Sequence, residues 1–134
     1  MTVQELRIGN LVLDDSSDKI MVVSRIESKQ FTQWNSGGSY NIVCFGLGTK
    51  KEYREGDFNP IPITEERLVR FGFIIIENNW KVLDLHFCKI NWERLAGLTI
   101  TFESESIFMP HIKYVHQLQN LYFALTGEEL SFEQ

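Results

Sequence analysis

"NPIPITEERLVRFGFIIIENNWKVLDLHF", residues 59–87, changes backbone habit three times. Pro60 and Pro62 force extended backbone and cannot sit inside a sheet, so a boundary falls here. Thr64 is placed to cap a helix, and Glu65 and Glu66 complement the positive end of its dipole. Glu66 and Arg70 stand i,i+4 on that helix. Gly72 ends it in left-handed backbone with Phe73 folding back toward Leu68, which predicts a short helix over 65–71. A hairpin follows, "FGFIIIE" and "WKVLDLHF" flanking Asn78 and Asn79. Asparagine tolerates positive φ, so a two-residue turn is expected there. That register pairs Glu77 with Trp80, Ile75 with Val82 and Ile74 with Leu83.

Upstream of the prolines the chain reads as β. "NLVLDD" (10–15), "IMVVSRIE" (20–27), "FTQW" (31–34) and "YNIVCF" (40–45) are separated by the turn signals "DDSSDK" and "NSGG". Four short strands so spaced predict a small antiparallel β-barrel or meander over residues 1–60. "GLGTKKEYREGD" (46–57) is a loop of mixed charge. Downstream, "NWERLAG" (91–97) reads as one helical turn between Asn91 and Gly97. "LTITF" and "IFMP" read as two strands around "ESES", and a long helix ends at Gly127. The expected class is α+β, with a second subdomain over 61–134. It comprises a short helix, an antiparallel sheet of three to five strands and a long C-terminal helix packed across it. The two subdomains are expected to pack as one unit.

A chain of 134 residues can bury roughly 65–70% of its unfolded surface, enough for a core. Seventeen aromatics argue against disorder. A net charge of -5 disfavours non-specific phosphate binding, which needs clustered Lys and Arg. The N-terminal residues carry no apolar leader, and no apolar run approaches the ~18 residues of a membrane span. The expectation is a cytoplasmic protein that does not enter membranes. Cys44 and Cys88 make no disulfide framework, and their apolar strand-like surroundings predict inert thiols.

"KYVHQLQNLYFALTGEEL", residues 113–130, has no charged residue between Lys113 and Glu128. At 100° per residue, Tyr114, Val115, Leu118, Leu121, Tyr122 and Leu125 share an arc of about 120°, the usual core stripe. The other side carries His116, Gln119, Asn120 and Phe123. An outer face without charge suits an interface, because charges are costly to desolvate at an interface core. These four residues are the expected interaction surface, unless the helix is wrapped on both sides by its own protein. A homodimer seam is a special case of the same surface.

"ELRIGNLV" at the start, "PIPITEERLVRFGF" in the middle and "YVHQLQNLYFALTGEEL" near the end occur in that order. With these landmarks the chain resembles a family of small uncharacterised proteins of Bacteroides-group gut bacteria, often encoded in prophages and other mobile elements. Trp80 to Met109 carries none of the family's pattern. The resemblance implies a context and no catalytic residue.

A search for chemistry yields weak signals. Asp84, His86 and Cys88 alternate, which on a strand points all three to one face, a pattern that metal or thiol chemistry could use. Neighbouring same-face positions lie roughly 6.5–7 Å apart, too far for a direct nucleophile–base bond. "DDSSD" opens like a calcium loop, but Lys19 stands where Gly is needed and Arg25 where Glu is needed, so a solvated turn is expected. "GLGTKK" lacks phosphate-loop spacing. His111 and His116 do not share a helix face, and Glu103 and Glu105 flank a turn. No cofactor, metal or catalytic residue is expected. The leading expectation is a non-enzymatic interaction module that binds a host or phage protein. The alternative is a nucleic-acid accessory protein using the barrel and Lys50, Lys51, Tyr53 and Arg54, since small barrels bind single strands by stacking bases in a basic groove. A small metal- or thiol-dependent enzyme is the third.

Overall fold

The computed structural model describes residues 3–30, 39–45, 53–54 and 56–132. The chain divides into two compact units, Met1–Ile61 and Pro62–Gln134, one residue from the boundary drawn at the prolines.

The first unit opens with a 3-10 turn, Val3–Glu5, followed by β1 (Leu11–Asp14), β2 (Ile20–Gln30), β3 (Ser39–Phe45) and β4 (Phe58–Asn59). They form one antiparallel sheet in the order β3-β2-β1-β4. Asp14 sets the β1–β2 turn: its carboxylate accepts the N–H and O–H of Ser16 at 3.0 and 2.9 Å, and Asp18 sits at φ 55°. Val12, Val23, Val43, Phe45, Tyr53 and Phe58 are buried in one cluster with Val3 and Leu6. The Phe45 ring meets Tyr53 and Phe58 edge-on at 4.7 and 5.6 Å. Tyr53 exchanges both backbone bonds with Val43. The fourth strand returns to lie beside the first, a Greek-key order in place of the expected meander, and no closed barrel is found among the described residues. The expected strand at 31–34 and turn at 35–38 lie outside those residues.

The second unit contains α1 (Glu65–Arg70), β5 (Ile74–Ile75), β6 (Lys81–Asp84), β7 (Lys89–Glu93), β8 (Gly97–Thr101), β9 (Ser106–Phe108) and α2 (Val115–Thr126). Its five strands pair in chain order, each antiparallel to the next. The Thr64 hydroxyl accepts the Arg67 N–H at 3.3 Å. Gly72, at φ 94°, passes the chain out of α1, and the Phe73 N–H returns to the Leu68 carbonyl at 3.0 Å, as its sequence predicts. Ile63 N–H donates to the Lys113 carbonyl at 3.0 Å, tying together the approaches to the two helices. Gln117 turns back to accept the N–H groups of Lys113 and Tyr114 at 2.8 and 3.0 Å, and Gly127 closes α2 at φ 76°. Beyond it Leu130 is buried and the Phe132 ring lies 4.8 Å from that of Phe71.

Two expectations are corrected here. The β5–β6 turn is not the two-residue Asn78–Asn79. It is a three-residue 3-10 turn, Glu77–Asn79, closed by Ile76 N–H to the Trp80 carbonyl at 2.8 Å. Asn79 takes the positive φ (65°). Ile74 therefore pairs with Val82 and Ile75 with Lys81, one residue away from the expected register. A one-residue slip exchanges the two faces of a strand. "NWERLAG" is not a helical turn either. Asn91 and Trp92 belong to β7, and the Glu93 carboxylate accepts the N–H groups of Leu95 and Ala96 at 2.9 and 2.7 Å, making a tight turn between β7 and β8.

Candidate interaction surface

Pairing and alternation assign the side chains of the second sheet to two faces. One carries Lys81, Ile90, Trp92, Leu98 and Ile100, all buried, with Ile75 and Ile107 exposed at its edges. The other carries Ile74, Ile76, Trp80, Asn91, Thr99, Thr101, Ser106 and Phe108, with Val82 buried among them. Antiparallel sheets often leave one face open in this way, and the usual dressing is polar. Here the centre obeys that rule and the rim does not. Ile74, Ile76 and Phe108 are 63%, 47% and 58% exposed.

A depression of about 300 Å³ lies between them, lined by Ile76, Trp80, Asn91, Thr99, Thr101 and Ser106. Its floor is held by side chains of the sheet itself. Asn91 Nδ2 donates to Thr101 Oγ1 at 2.8 Å, and Thr101 Oγ1 lies 3.4 Å from Ser106 Oγ. Gly97, at φ 81°, lies beside the Phe108 ring, which a Cβ there would meet at an ordinary contact distance of 3.6 Å. Hydroxyls, an amide, an indole and aliphatic carbons line the depression, and none of its side chains ionises near neutral pH. Such a surface can bury apolar area and exchange neutral hydrogen bonds. It offers no nucleophile–base pair.

The residues singled out from sequence are placed differently. His116 and Gln119 are buried, Asn120 is half-buried, and Phe123 is 39% exposed. The His116 ring stacks on Tyr114 with centroids 6.0 Å apart. The four therefore do not form one outward surface. The buried arc of α2 runs over Val115, His116, Leu118 and Gln119, while Leu121, Tyr122 and Leu125 are half-buried. The absence of charge, read as a partner surface, marks part of the side that goes inside.

Asp84, His86 and Cys88 do not share a strand face. β6 ends at Asp84, whose carboxylate accepts the His86 N–H at 2.8 Å and so bends the chain. His86 sits in the turn at φ 72°, and the Leu85 N–H donates to the Cys88 carbonyl at 2.9 Å. Cys88 is buried, and burial, with a smaller contribution from the Asp84 charge, holds its thiol above the ordinary pKa. Among the described residues no three His, Cys, Asp or Glu side chains are grouped to hold a metal ion.

Lys50 and Lys51 lie outside the described residues. Tyr53 is buried in the first unit's cluster with its hydroxyl 3.4 Å from Asp14 Oδ2, so its ring is not presented for base stacking. Arg54 is exposed. Sequence reading missed the open sheet face. The unbroken run Ile74–Ile76 was its signal, because a strand covered on one side should alternate.

Compared with known proteins, the chain matches no family model, no curated protein and no solved structure. No helix among the described residues is long and apolar enough to cross a membrane.

Proposed function

We propose that this chain is a non-enzymatic interaction module that binds another protein through the open face of its second sheet. The observation that carries this reading is the exposure of Ile74, Ile76 and Phe108 on the same sheet face as an uncharged depression, which Ile76 lines. Apolar groups gathered on a rim around neutral polar groups suit a protein partner, which can cover the aliphatic carbons without stranding a charge. The resemblance to a family of Bacteroides-group mobile elements suggests a host or phage protein as that partner. Nucleic acid is the less favoured partner, because the chain is acidic and Tyr53 is committed to a core. The α2 residues do not enter this reading, since none of them lines the depression.

The test is affinity capture from host lysate with wild type and with the double variant Ile74→Glu/Ile76→Glu. Both positions are exposed, so the variant is expected to fold, and circular dichroism checks this. A protein retained by wild type, insensitive to nuclease and lost from the variant, supports the reading. Equal capture by both proteins, or retention of nucleic acid alone, overturns it.

A further inference from the structure

The second sheet ends at β9, and among the described residues no strand lies beyond it. The direction of its backbone groups follows from the hydrogen bonds on either side. Met109 N–H donates to the Leu98 carbonyl at 2.9 Å, and Phe102 N–H donates to the Glu105 carbonyl at 2.8 Å. Bonded and non-bonded pairs alternate along an antiparallel ladder. Ile107 is therefore bonded inward to Ile100, whereas Ser106 and Phe108 turn their N–H and C=O groups outward. An edge of this kind is a template for a further strand.

We infer that β9 pairs with β9 of a second copy of this chain, antiparallel, about a two-fold axis through Ile107. That arrangement sets Ser106 opposite the partner's Phe108 and Phe108 opposite the partner's Ser106. Each pair exchanges both of its outward bonds, so the same four groups are satisfied in each copy. Ile107, half exposed, meets its own symmetry mate. The flanks select a second copy over an unrelated strand. Exposed Glu103 and Glu105 precede the strand, and exposed His111 and Lys113 follow it. An antiparallel two-fold brings each acidic flank against the partner's basic flank. The two sheets become one of ten strands, and their open faces run on continuously.

The test is the mass in solution by light scattering over a range of concentrations. Wild type is expected to approach twice 15.7 kDa as concentration rises. Ser106→Pro removes one outward N–H and no bond of the β8–β9 ladder, so it is expected to remain folded and monomeric. Two further variants exchange exposed charges alone: Glu103→Lys/Glu105→Lys and His111→Glu/Lys113→Glu. Each alone sets like charges together and is expected to stay monomeric, whereas an equimolar mixture restores both attractive flanks and dimerises. A wild type monomeric throughout overturns the proposal. So does a dimer that survives Ser106→Pro and both charge variants, because it must use another surface. A monomer whose β9 binds only a strand of a different protein also overturns it.

Discussion

Lys81 shows how local chemistry decides a position that composition would forbid. It sits on the covered face of β6 and is 2% exposed, yet lysine is seldom buried unless paired. Its Nζ donates to the Asn79 carbonyl at 2.8 Å and to Glu65 Oε1 at 3.1 Å. The Asn79 bond is a product of the three-residue turn. Shortening the side chain removes both bonds and leaves a void, so Lys81→Ala is expected to cost about 2–4 kcal/mol in urea unfolding. Lys81→Met keeps the stem and removes the charge, which should cost about 1 kcal/mol or less, since hydrophobic replacement of buried charge is often near neutral. A Met variant as damaged as the Ala variant would show that the charge, and not the stem, holds the site. Cys88 gives a pH prediction. Its folded-state pKa is raised, so the unfolded chain loses the thiol proton first. Its contribution to stability is full below the ordinary thiol pKa and is lost as pH rises through the folded-state value. Thiol-disulfide reagents should label Cys88 slowly at pH 8 and rapidly in denaturant. Equally fast labelling in native protein would contradict its burial.

The elements that were legible before the structure are those fixed by local rules. α1 follows from Thr64, Glu65, Glu66 and Gly72, and α2 stops where Gly127 supplies a left-handed residue. Gly127→Ala forces a Cβ into φ 76° with no steric neighbour to blame, so strained backbone alone should lower stability by about 1 kcal/mol. Thr64→Ala should cost a similar amount, about 0.5–2 kcal/mol, by exposing the start of α1. Thermal melts measure both, and a Gly127→Ala variant as stable as wild type would mean that α2 does not depend on its cap. Illegible elements were those in which a side chain competes for backbone groups. Glu93 takes two N–H groups and makes a hairpin from what looked like a helical turn. Asp84 takes the His86 N–H and breaks an apparent alternation. In the helix, 3.6-residue periodicity located a stripe but could not say which edge of it was covered. His116 and Gln119 went inside because no charge forbade it. The open face was hidden for a further reason: a two-residue and a three-residue turn fit "ENN" equally well, and only the second turns Ile74 and Ile76 outward beside Val82 and Trp80.

At the scale of the molecule, each compact unit holds its own sheet. In Pro62–Gln134 every strand pairs with its neighbour in sequence. Residues 62–134 produced alone are therefore expected to keep a dispersed amide spectrum and a cooperative unfolding transition. A collapsed spectrum would show that this meander needs residues 1–61 to fold. The division itself was legible, since two prolines, four and two residues before a capping threonine, mark it. The strand order within the first unit was not. β4 was unforeseen because two residues, Phe58 and Asn59, give no period to read.

That short strand has a kinetic consequence. Pairs between β1 and β2 join residues close in sequence, but β4 reaches back so that Leu13 faces Asn59 and Asp14 faces Phe58. The loop so closed spans most of the unit, and its entropic toll falls due before any contact rewards it. In the second unit the described strands of the sheet pair only with sequence neighbours, and contacts of longer reach, the Pro62–Tyr114 bridge and the Ile63–Lys113 bond, lie outside the sheet. The five-stranded sheet should therefore form before the four-stranded one, whose pace is set by the rate at which Phe58 comes home to β1.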